Sequence, residues 1–593
     1  MSTRQPKRPF RSREWFADPA RSDMTALYLE RFMNYGITPR ELRSGRPIIG
    51  IAQTGSDLSP CNRIHVELAK RTAAGIRDAG GIPMEFPVHP IFENCRRPTA
   101  ALDRNLAYLG LVEILHGYPI DAVVLTTGCD KTTPSGIMAA STVDIPAIVL
   151  SGGPMLDGWH EGELVGSGTV IWRSRRKLAA GEINEEEFLD RACASAPSAG
   201  HCNTMGTAST MNAVAEALGL SLTGCAAIPA PYRERGQMAY ETGRRIVEMA
   251  YEDLRPSDIL TRQSFINAVN VVSAIGGSSN AQPHIVAMAR HAGVEIGPED
   301  WSAAYDLPLI VNMQPAGKYL GERFHRAGGV PAVMHELLEA GKIDGACRTV
   351  TGETLAQNLE GRVTHDREVI TPYAKPLRDR AGFLVLKGNL FDFAIMKTSV
   401  ISEGFRERYL SVPGREGVFE ARAVVFDGSD DYHHRINDPS LNIDENTILV
   451  IRGAGPLGWP GSAEVVNMQP PDALIQRGIM SLPTLGDGRQ SGTADSPSIL
   501  NASPESAAGG GLAWLQTGDM IRIDLNTGAC DALVDEAEIA RRKADLPAPP
   551  VPESQTPWEE LFREKTGQLA EGGVLEFALK YRQTSKKTPR HNH

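Results

Sequence analysis

Asp121-Ala122-Val123-Val124-Leu125-Thr126-Thr127-Gly128-Cys129-Asp130-Lys131-Thr132-Thr133-Pro134 is the stretch on which the fold turns. An unbroken apolar run stops at a glycine, and a thiol, a carboxylate and an amine then follow on consecutive residues. A short apolar run without alternation marks a strand buried on both faces. The helix signal from Pro134 to Ala140 puts the three polar groups at that strand's C-terminal end, where open α/β sheets bind ligands. A plain connecting loop with an incidental cysteine is the alternative, and further sites of the same kind decide between them.

Working outward, the pattern recurs. Pro47-Ile48-Ile49-Gly50-Ile51-Ala52 reads as a strand, the loop Gln53 to Asn62 contains Cys61, and a helix is expected over about Arg63 to Ala79. A strand from Ile82 to Val88 leads into Ile91-Phe92-Glu93-Asn94-Cys95, a helix spans about Asn105 to His116, and Ala147 to Leu150 gives another strand. Strands alternating with helices predict a parallel sheet covered on both faces. Pro197 to Asn203, with Cys202, opens a helix over about Thr204 to Leu218, and the alternation is expected to run on to about Lys375. Beyond Asp379 the texture changes. Gly382 to Lys387, Val418 to Phe426, Thr447 to Arg452 and Met520 to Leu525 are β-rich runs between glycine turns, which predict a barrel or a sandwich. The expected division is 1–379, an N-terminal parallel-sheet α/β domain, and 380–593, a C-terminal β domain. The latter closes with a Pro-rich linker from Leu546 to Pro557, a helix, and an arm ending Pro589 to His593.

A chain of 593 residues exceeds what one core usually supports, so at least two domains are expected. A formal net charge of -11 argues against nucleic acid or an anionic membrane as partner. No apolar segment reaches the roughly 20 residues of a membrane span. The basic N-terminus, Met1 to Trp15, lacks the apolar core of a signal peptide, so a cytoplasmic location is expected. The eight cysteines contain no CxxC pair, and any metal centre must be assembled from distant loops.

Cys61, Cys129 and Cys202 each lie in a loop just before a helix, where N–H groups and the helix dipole favour a thiolate. If the loops converge, three thiolates suit an iron–sulfur cluster with one iron left open; otherwise they are separate buried thiols. Cys95, Cys193, Cys225, Cys347 and Cys530 read as structural. Asp130 and Glu93 are oxygen donors suited to Mg²⁺, although a solvated loop carboxylate is the plain reading of Glu93. Lys131 as an ammonium would repel a cation; it either binds a substrate carboxylate or becomes a carbamate. The glycine-rich loop 452–464 ends in Glu464, and a second, 485–493, contains Ser491. Neither has the form of a phosphate loop or of a nucleophile elbow. Ser491 is either a turn serine or, beside a metal, a base.

Thr127 to Pro134, Cys202-Asn203-Thr204-Met205-Gly206-Thr207-Ala208-Ser209-Thr210-Met211 and Gly486-Asp487-Gly488-Arg489-Gln490-Ser491-Gly492 together resemble the dihydroxy-acid and sugar-acid dehydratase family, and the likeness runs essentially end to end. Phe92 to Pro98 and Ser496 to Glu505 resemble its pentonate branch. The resemblance implies an α/β domain plus a β-barrel domain with the site between them, and subunits paired as homodimers or homotetramers. It implies Cys61, Cys129 and Cys202 as ligands of a [2Fe-2S] cluster, although three thiolates also suit a [4Fe-4S] centre. It further implies Glu93, Asp130 and Glu464 as Mg²⁺ ligands, Lys131 as a carboxylated lysine and Ser491 as the base.

The activity so implied is that of a hydro-lyase turning a small sugar acid, an aldonate with D-xylonate foremost, into the 2-keto-3-deoxy acid. Gluconate, another pentonate or a phosphorylated aldonate are the alternatives within the class, and a non-catalytic iron–sulfur redox protein is the alternative outside it. Asn203-Thr204 stand where branched-chain members carry Gly-Gly, and Gln490 where an apolar residue is common. Both add hydrogen-bonding groups, as a polyhydroxylated substrate would require.

Overall fold

The computed structural model describes residues 5–34, 36–549 and 552–582, so the arm expected at Pro589 to His593 lies outside the described residues. Strands β1 (Ile48–Gln53), β2 (Ile82–Pro87), β3 (Ala122–Thr127) and β4 (Ala147–Ser151) form a parallel sheet in the order β2-β1-β3-β4. Every residue of β3 and β4 is buried, which is why these runs are apolar without alternation. The helix Thr132–Val143 that follows β3 is itself buried along its whole length. The register aligns all four C-terminal ends along one edge. From β1 the chain goes to β2 on one side, and β3 lies on the other, so the topological switch falls between β1 and β3. Cys61 follows β1 and Cys129 follows β3, one on each side of that crevice.

The alternation does not continue to Lys375. Among the described residues the only strands between β4 and the second half are a hairpin, β5 (Gly158–His160) and β6 (Glu163–Val165). The short apolar pair Val271-Val272, which invites a strand reading, lies in the helix Arg262–Ala274. A buried helix and a buried strand present the same unbroken run over a few residues, and only length separates them.

β7 (Phe383–Gly388), β8 (Phe391–Lys397), β9 (Val418–Asp427), β10 (Thr447–Arg452), β11 (Thr484–Gly486), β12 (Ser498–Ser503), β13 (Met520–Asp524) and β14 (Ala529–Ala532) close into a barrel in the order β10-β11-β12-β8-β7-β14-β13-β9. Barrel, not sandwich, is the outcome. Successive strand residues point to opposite faces, and here the two faces serve different cores. Ala421, Ala423 and Val425 of β9, with Ile448, Val450, Ala394 and Met396, pack together as the barrel's own core. Their neighbours Val424, Phe426, Leu449, Ile451, Phe393 and Ile395 join the core of the N-terminal half. The chain also returns to that half after the helix Pro557–Lys565. Arg104 donates to the carbonyls of Gly572 (2.7 Å) and Gly573 (2.6 Å), and Gln282 Nε2 to that of Ala570 (3.1 Å). Among the described residues no helix is long and apolar enough to cross a membrane.

Candidate active site

Cys61 sits in a single 3₁₀ turn, Pro60–Asn62, ahead of the helix His65–Asp78. Asn62 Oδ1 accepts from the Cys129 N–H at 2.7 Å, a bond that spans the switch point. A Cβ on Gly128 would stand 2.3 Å from that Oδ1 and 3.1 Å from Cys61 O, so the close approach of two loops demands glycine before the cysteine. Cys202 Sγ accepts from Ser167 Oγ at 3.4 Å. A hydrogen bond between the Cys61 and Cys129 thiols, together with burial and the neighbouring Cys202 and Asp130, pushes Cys61 well above its ordinary value. Burial, with Asp130 and Cys129 adding to it, pushes Cys202 up to about 12. The three thiols therefore converge. At Cys61 and Cys202 the depression expected from helix N-termini is overridden, because desolvation and the neighbouring groups penalise the thiolate more than local dipoles stabilise it. Three clustered, unbridged thiols are a soft donor set that fits an iron–sulfur cluster.

Glu93, Asp130 and Glu464 bring carboxylate oxygens within 4.8 Å of one another. Glu93 comes from the loop after β2, which Ser59 Oγ ties to the β1 loop by donating to Ile91 O at 2.5 Å. Glu464 comes from the barrel half. A short β-bridge pairs it with Arg489, fixed by Arg489 N–H to Ala463 O and Val466 N–H to Arg489 O, both at 3.0 Å. The Arg489 side chain, 2% exposed, reaches Glu93 at 3.3 Å and Glu464 at 3.2 Å. Lys131, 1% exposed, pairs with Glu93 and lies 3.9 Å from Asp130.

Three carboxylates against two cations leave an excess negative charge in a buried site. Burial and then Glu93 raise Glu464 to about 8, and burial raises Asp130 to about 6. Burial acts the same way on Glu93, but Lys131 and Arg489 outweigh it and hold that group below the usual carboxylate range. An all-oxygen set that must share protons to stay neutral is one that a hard divalent cation would let ionise fully, so the residues fit Mg²⁺.

Ser491 follows Arg489 in the same glycine-rich loop. Its N–H donates to Asn467 Oδ1 at 3.3 Å, and its Oγ pairs with Thr493 Oγ1 at 2.9 Å. Its link to the carboxylates runs through Asn280, whose Nδ2 reaches Glu464 Oε1 (2.6 Å), Gln490 O (3.1 Å) and Thr207 Oγ1 (3.0 Å); Thr207 in turn hydrogen-bonds Asp130. Arg489, Asn280, Thr207 and Asn62 are the members of this site that the sequence reading did not single out. Arg489 and Asn280 did carry one signal, a strongly polar side chain inside a glycine-rich loop.

The Asn203 amide is bonded within the protein. Its Oδ1 accepts from Ser167 N–H (2.9 Å) and its Nδ2 donates to Leu156 O (2.8 Å) and Ser195 O (3.4 Å), so the amide is consumed in holding the Cys202 loop. Gln490 Oε1 accepts from Ser496 Oγ at 3.2 Å. Of the cysteines read as structural, Cys225 and Cys530 are buried and Cys347 half-buried, but Cys95 and Cys193 are exposed. Cys95 lies in the loop that carries Glu93, and Cys193 on a helix, Glu185–Ala194, of which only Arg191 is buried.

A parallel sheet whose C-terminal edge gathers three thiols and three carboxylates, one of the latter from the β-barrel half, defines a class, and the chain belongs to it. Residues 46–358 match the N-terminal model, and 368–573 the C-terminal model, of the dihydroxy-acid/6-phosphogluconate dehydratases; the chain is a member of that family of dehydratases. Among its relatives, a D-xylonate dehydratase of Caulobacter vibrioides is 79% identical over 594 residues, covering 100% of this chain and 99% of the relative. An L-arabinonate dehydratase of Rhizobium leguminosarum bv. trifolii is 44% identical over 91% of each chain. A dihydroxy-acid dehydratase of Moorella thermoacetica is 36% identical over 87% of this chain and 92% of its own.

Proposed function

We propose that the protein is a hydro-lyase that dehydrates a sugar acid, D-xylonate, to the 2-keto-3-deoxy acid. In this reading Cys61, Cys129 and Cys202 hold a [2Fe-2S] cluster. Glu93, Asp130, Glu464 and a carboxylated Lys131 hold Mg²⁺. The enzyme works in the cytoplasm as a homodimer or homotetramer. The observation that carries the reading is the meeting of a thiol set and a carboxylate set at consecutive residues, Cys129 and Asp130. The choice of a pentonate rests on the 79% identity to a D-xylonate dehydratase.

When bound, the two metals supply Lewis acidity to oxygens on adjacent carbons of the substrate. The protein's own residues do the rest. Ser491 as alkoxide removes the C2 proton and passes that same proton to the C3 hydroxyl, which leaves as water and returns Ser491 to the alkoxide. The resulting enol tautomerises to the ketone, for a net loss of one water. Carboxylation of Lys131 replaces a positive charge that opposes a cation with a further oxygen donor. Arg489, fixed between Glu93 and Glu464, keeps a positive charge beside the developing enolate. Donors come from both proposed domains, 1–379 and 380–593, so the site lies at their junction.

An anaerobic panel of aldonates, assayed with Mg²⁺ for 2-keto acid formation, tests the reading. D-Xylonate is expected to give the highest kcat/KM, with gluconate, L-arabinonate and a phosphorylated aldonate ranking below it. A protein with full cluster absorbance that turns over none of them would be a redox protein instead.

A further inference from the structure

Ser167 lies between two glycines in the turn that enters the helix Thr169–Ala180, and three separate bonds tie it to three consecutive residues of the Cys202 loop. Its Oγ donates to Cys202 Sγ at 3.4 Å, its N–H donates to Asn203 Oδ1 at 2.9 Å, and its carbonyl accepts from Thr204 Oγ1 at 3.3 Å. The flanking glycines allow that approach. A Cβ on Gly166 would stand 2.6 Å from both Gln314 Oε1 and Thr204 Cγ2, and Gly168, at a φ of +77°, faces Thr493 Oγ1 with room for no side chain. Gly-Gly at 203–204, the branched-chain pattern, could supply neither of the two side-chain anchors.

The three thiols are thereby unequal. Cys129 is buried, Cys61 and Cys202 are half-buried, and among the described residues Cys202 is the one of the three whose sulfur takes a hydroxyl. A serine O–H aimed at a neutral thiol is a weak contact. A thiolate on iron is an anion, and the same bond strengthens with the charge it meets. Hydrogen bonds to the ligand sulfurs are among the levers that set a cluster's reduction potential, because they stabilise the more negative, reduced centre.

We propose that Ser167 is a positioning residue of the cluster side of this site, its hydroxyl donating to the Cys202 thiolate and so raising the reduction potential of the centre. This rests on Cys202 being a cluster ligand. Ser167 keeps its proton and makes no bond to iron. By drawing negative charge from one sulfur it leaves the iron a stronger Lewis acid, and its two backbone anchors hold the donor at the Cys202 end of the thiol set.

The test uses anaerobically purified, cluster-loaded protein carrying Ser167→Ala, Ser167→Thr or Cys202→Ala. Ser167→Ala is expected to keep the parent's iron and sulfide content. Its reduction potential should fall by about 59 mV, a tenfold change in a one-electron equilibrium, and its sulfur-to-iron charge-transfer band should move to longer wavelength. Ser167→Thr, which retains the hydroxyl, should return both towards the parent. An unchanged potential and band in Ser167→Ala, equal shifts in the Ala and Thr variants, or loss of iron from Ser167→Ala would each overturn the proposal in favour of packing. Cys202→Ala separates the two levels. A parent-like cluster spectrum there removes Cys202 from the ligand set and this inference with it, whereas a lost cluster in Cys202→Ala beside a spectrally silent Ser167→Ala removes the inference alone.

Discussion

At Gly128 the absence of one carbon atom holds two loops together. The Asn62 to Cys129 bond of 2.7 Å exists only because nothing projects from residue 128 into that space. Gly128→Ala would force the loops apart, breaking the bond and leaving a buried N–H and a buried amide oxygen unpaired. The expected outcome is a loss of about 2 kcal/mol in urea denaturation together with reduced visible absorbance from the cluster. Normal absorbance and an unchanged midpoint would show that the loops have slack. The thiols themselves were legible in the sequence, since each occupies the junction of an apolar run and a helix. Their partners were not. Asn280 meets Glu464 across 184 positions and Arg489 meets Glu93 across 396, and no local pattern announces a contact of that span.

Elements carry two further predictions. The loop that delivers Glu464 hangs on Asp487, whose carboxylate accepts from the N–H groups of Gly453 (3.0 Å), Ala454 (2.9 Å) and Ser506 (2.9 Å) and from Ser506 Oγ (2.6 Å). Asp487→Asn would aim an amide N–H₂ at donors, costing about 1–3 kcal/mol and loosening Glu464. The Mg²⁺ concentration for half-maximal activity should rise; an unchanged Mg²⁺ titration would count against Asp487 as the anchor. In β8, alternation sends Lys397 to the same face as Phe393 and Ile395, towards the apolar junction of the two halves. Its Nζ has no hydrogen-bond partner, and burial pulls the group from 10.5 down to about 7. Between those two values the unfolded chain holds a proton that the folded chain does not, so stability rises with pH across the window. Below about 7 both states are protonated and the full penalty of burying an ammonium remains. Lys397→Met should therefore be more stable than the parent at neutral pH and below, by on the order of 3 kcal/mol, with the gap closing as pH climbs. A gap that is constant from pH 6 to pH 10, or about so, would mean that Lys397 finds solvent. The same alternation explains what was readable in the barrel. β9 and β10 declared themselves as β-rich runs, whereas β11, at three residues, is too short to show a period.

For the molecule as a whole, the C-terminal return fastens the halves. Arg104 and Asn105 hold the carbonyls of Gly572 and Gly573, and Gln568 trades two bonds with Glu505, 2.7 Å to its Oε1 and 2.9 Å from its Nε2. A chain ending at Lys565 is expected to melt on the order of 5–10 °C lower and to lose kcat in parallel, measured by calorimetry and by keto-acid formation; an intact kcat would show that the shared core suffices. The two-part organisation was legible from the change of texture near Asp379. The helical character of the stretch between β4 and β7 was not, because a helix buried on all sides, such as Ala281–Ala292, has no polar face to betray its period.

The sequence order of the proposed metal donors also fixes a timetable. Cys61, Cys129 and Cys202 have all been made when synthesis reaches residue 202 of 593, whereas Glu464 comes only with the barrel. If these thiols hold the proposed cluster, a ribosome offers the complete set to the cell's iron–sulfur supply while more than half of the chain is still unmade. The carboxylate set cannot be complete until that second half has arrived. On the proposed reading the two metals would be separated in time of arrival as well as by chemistry, the thiol set being the first of the two donor sets to be complete.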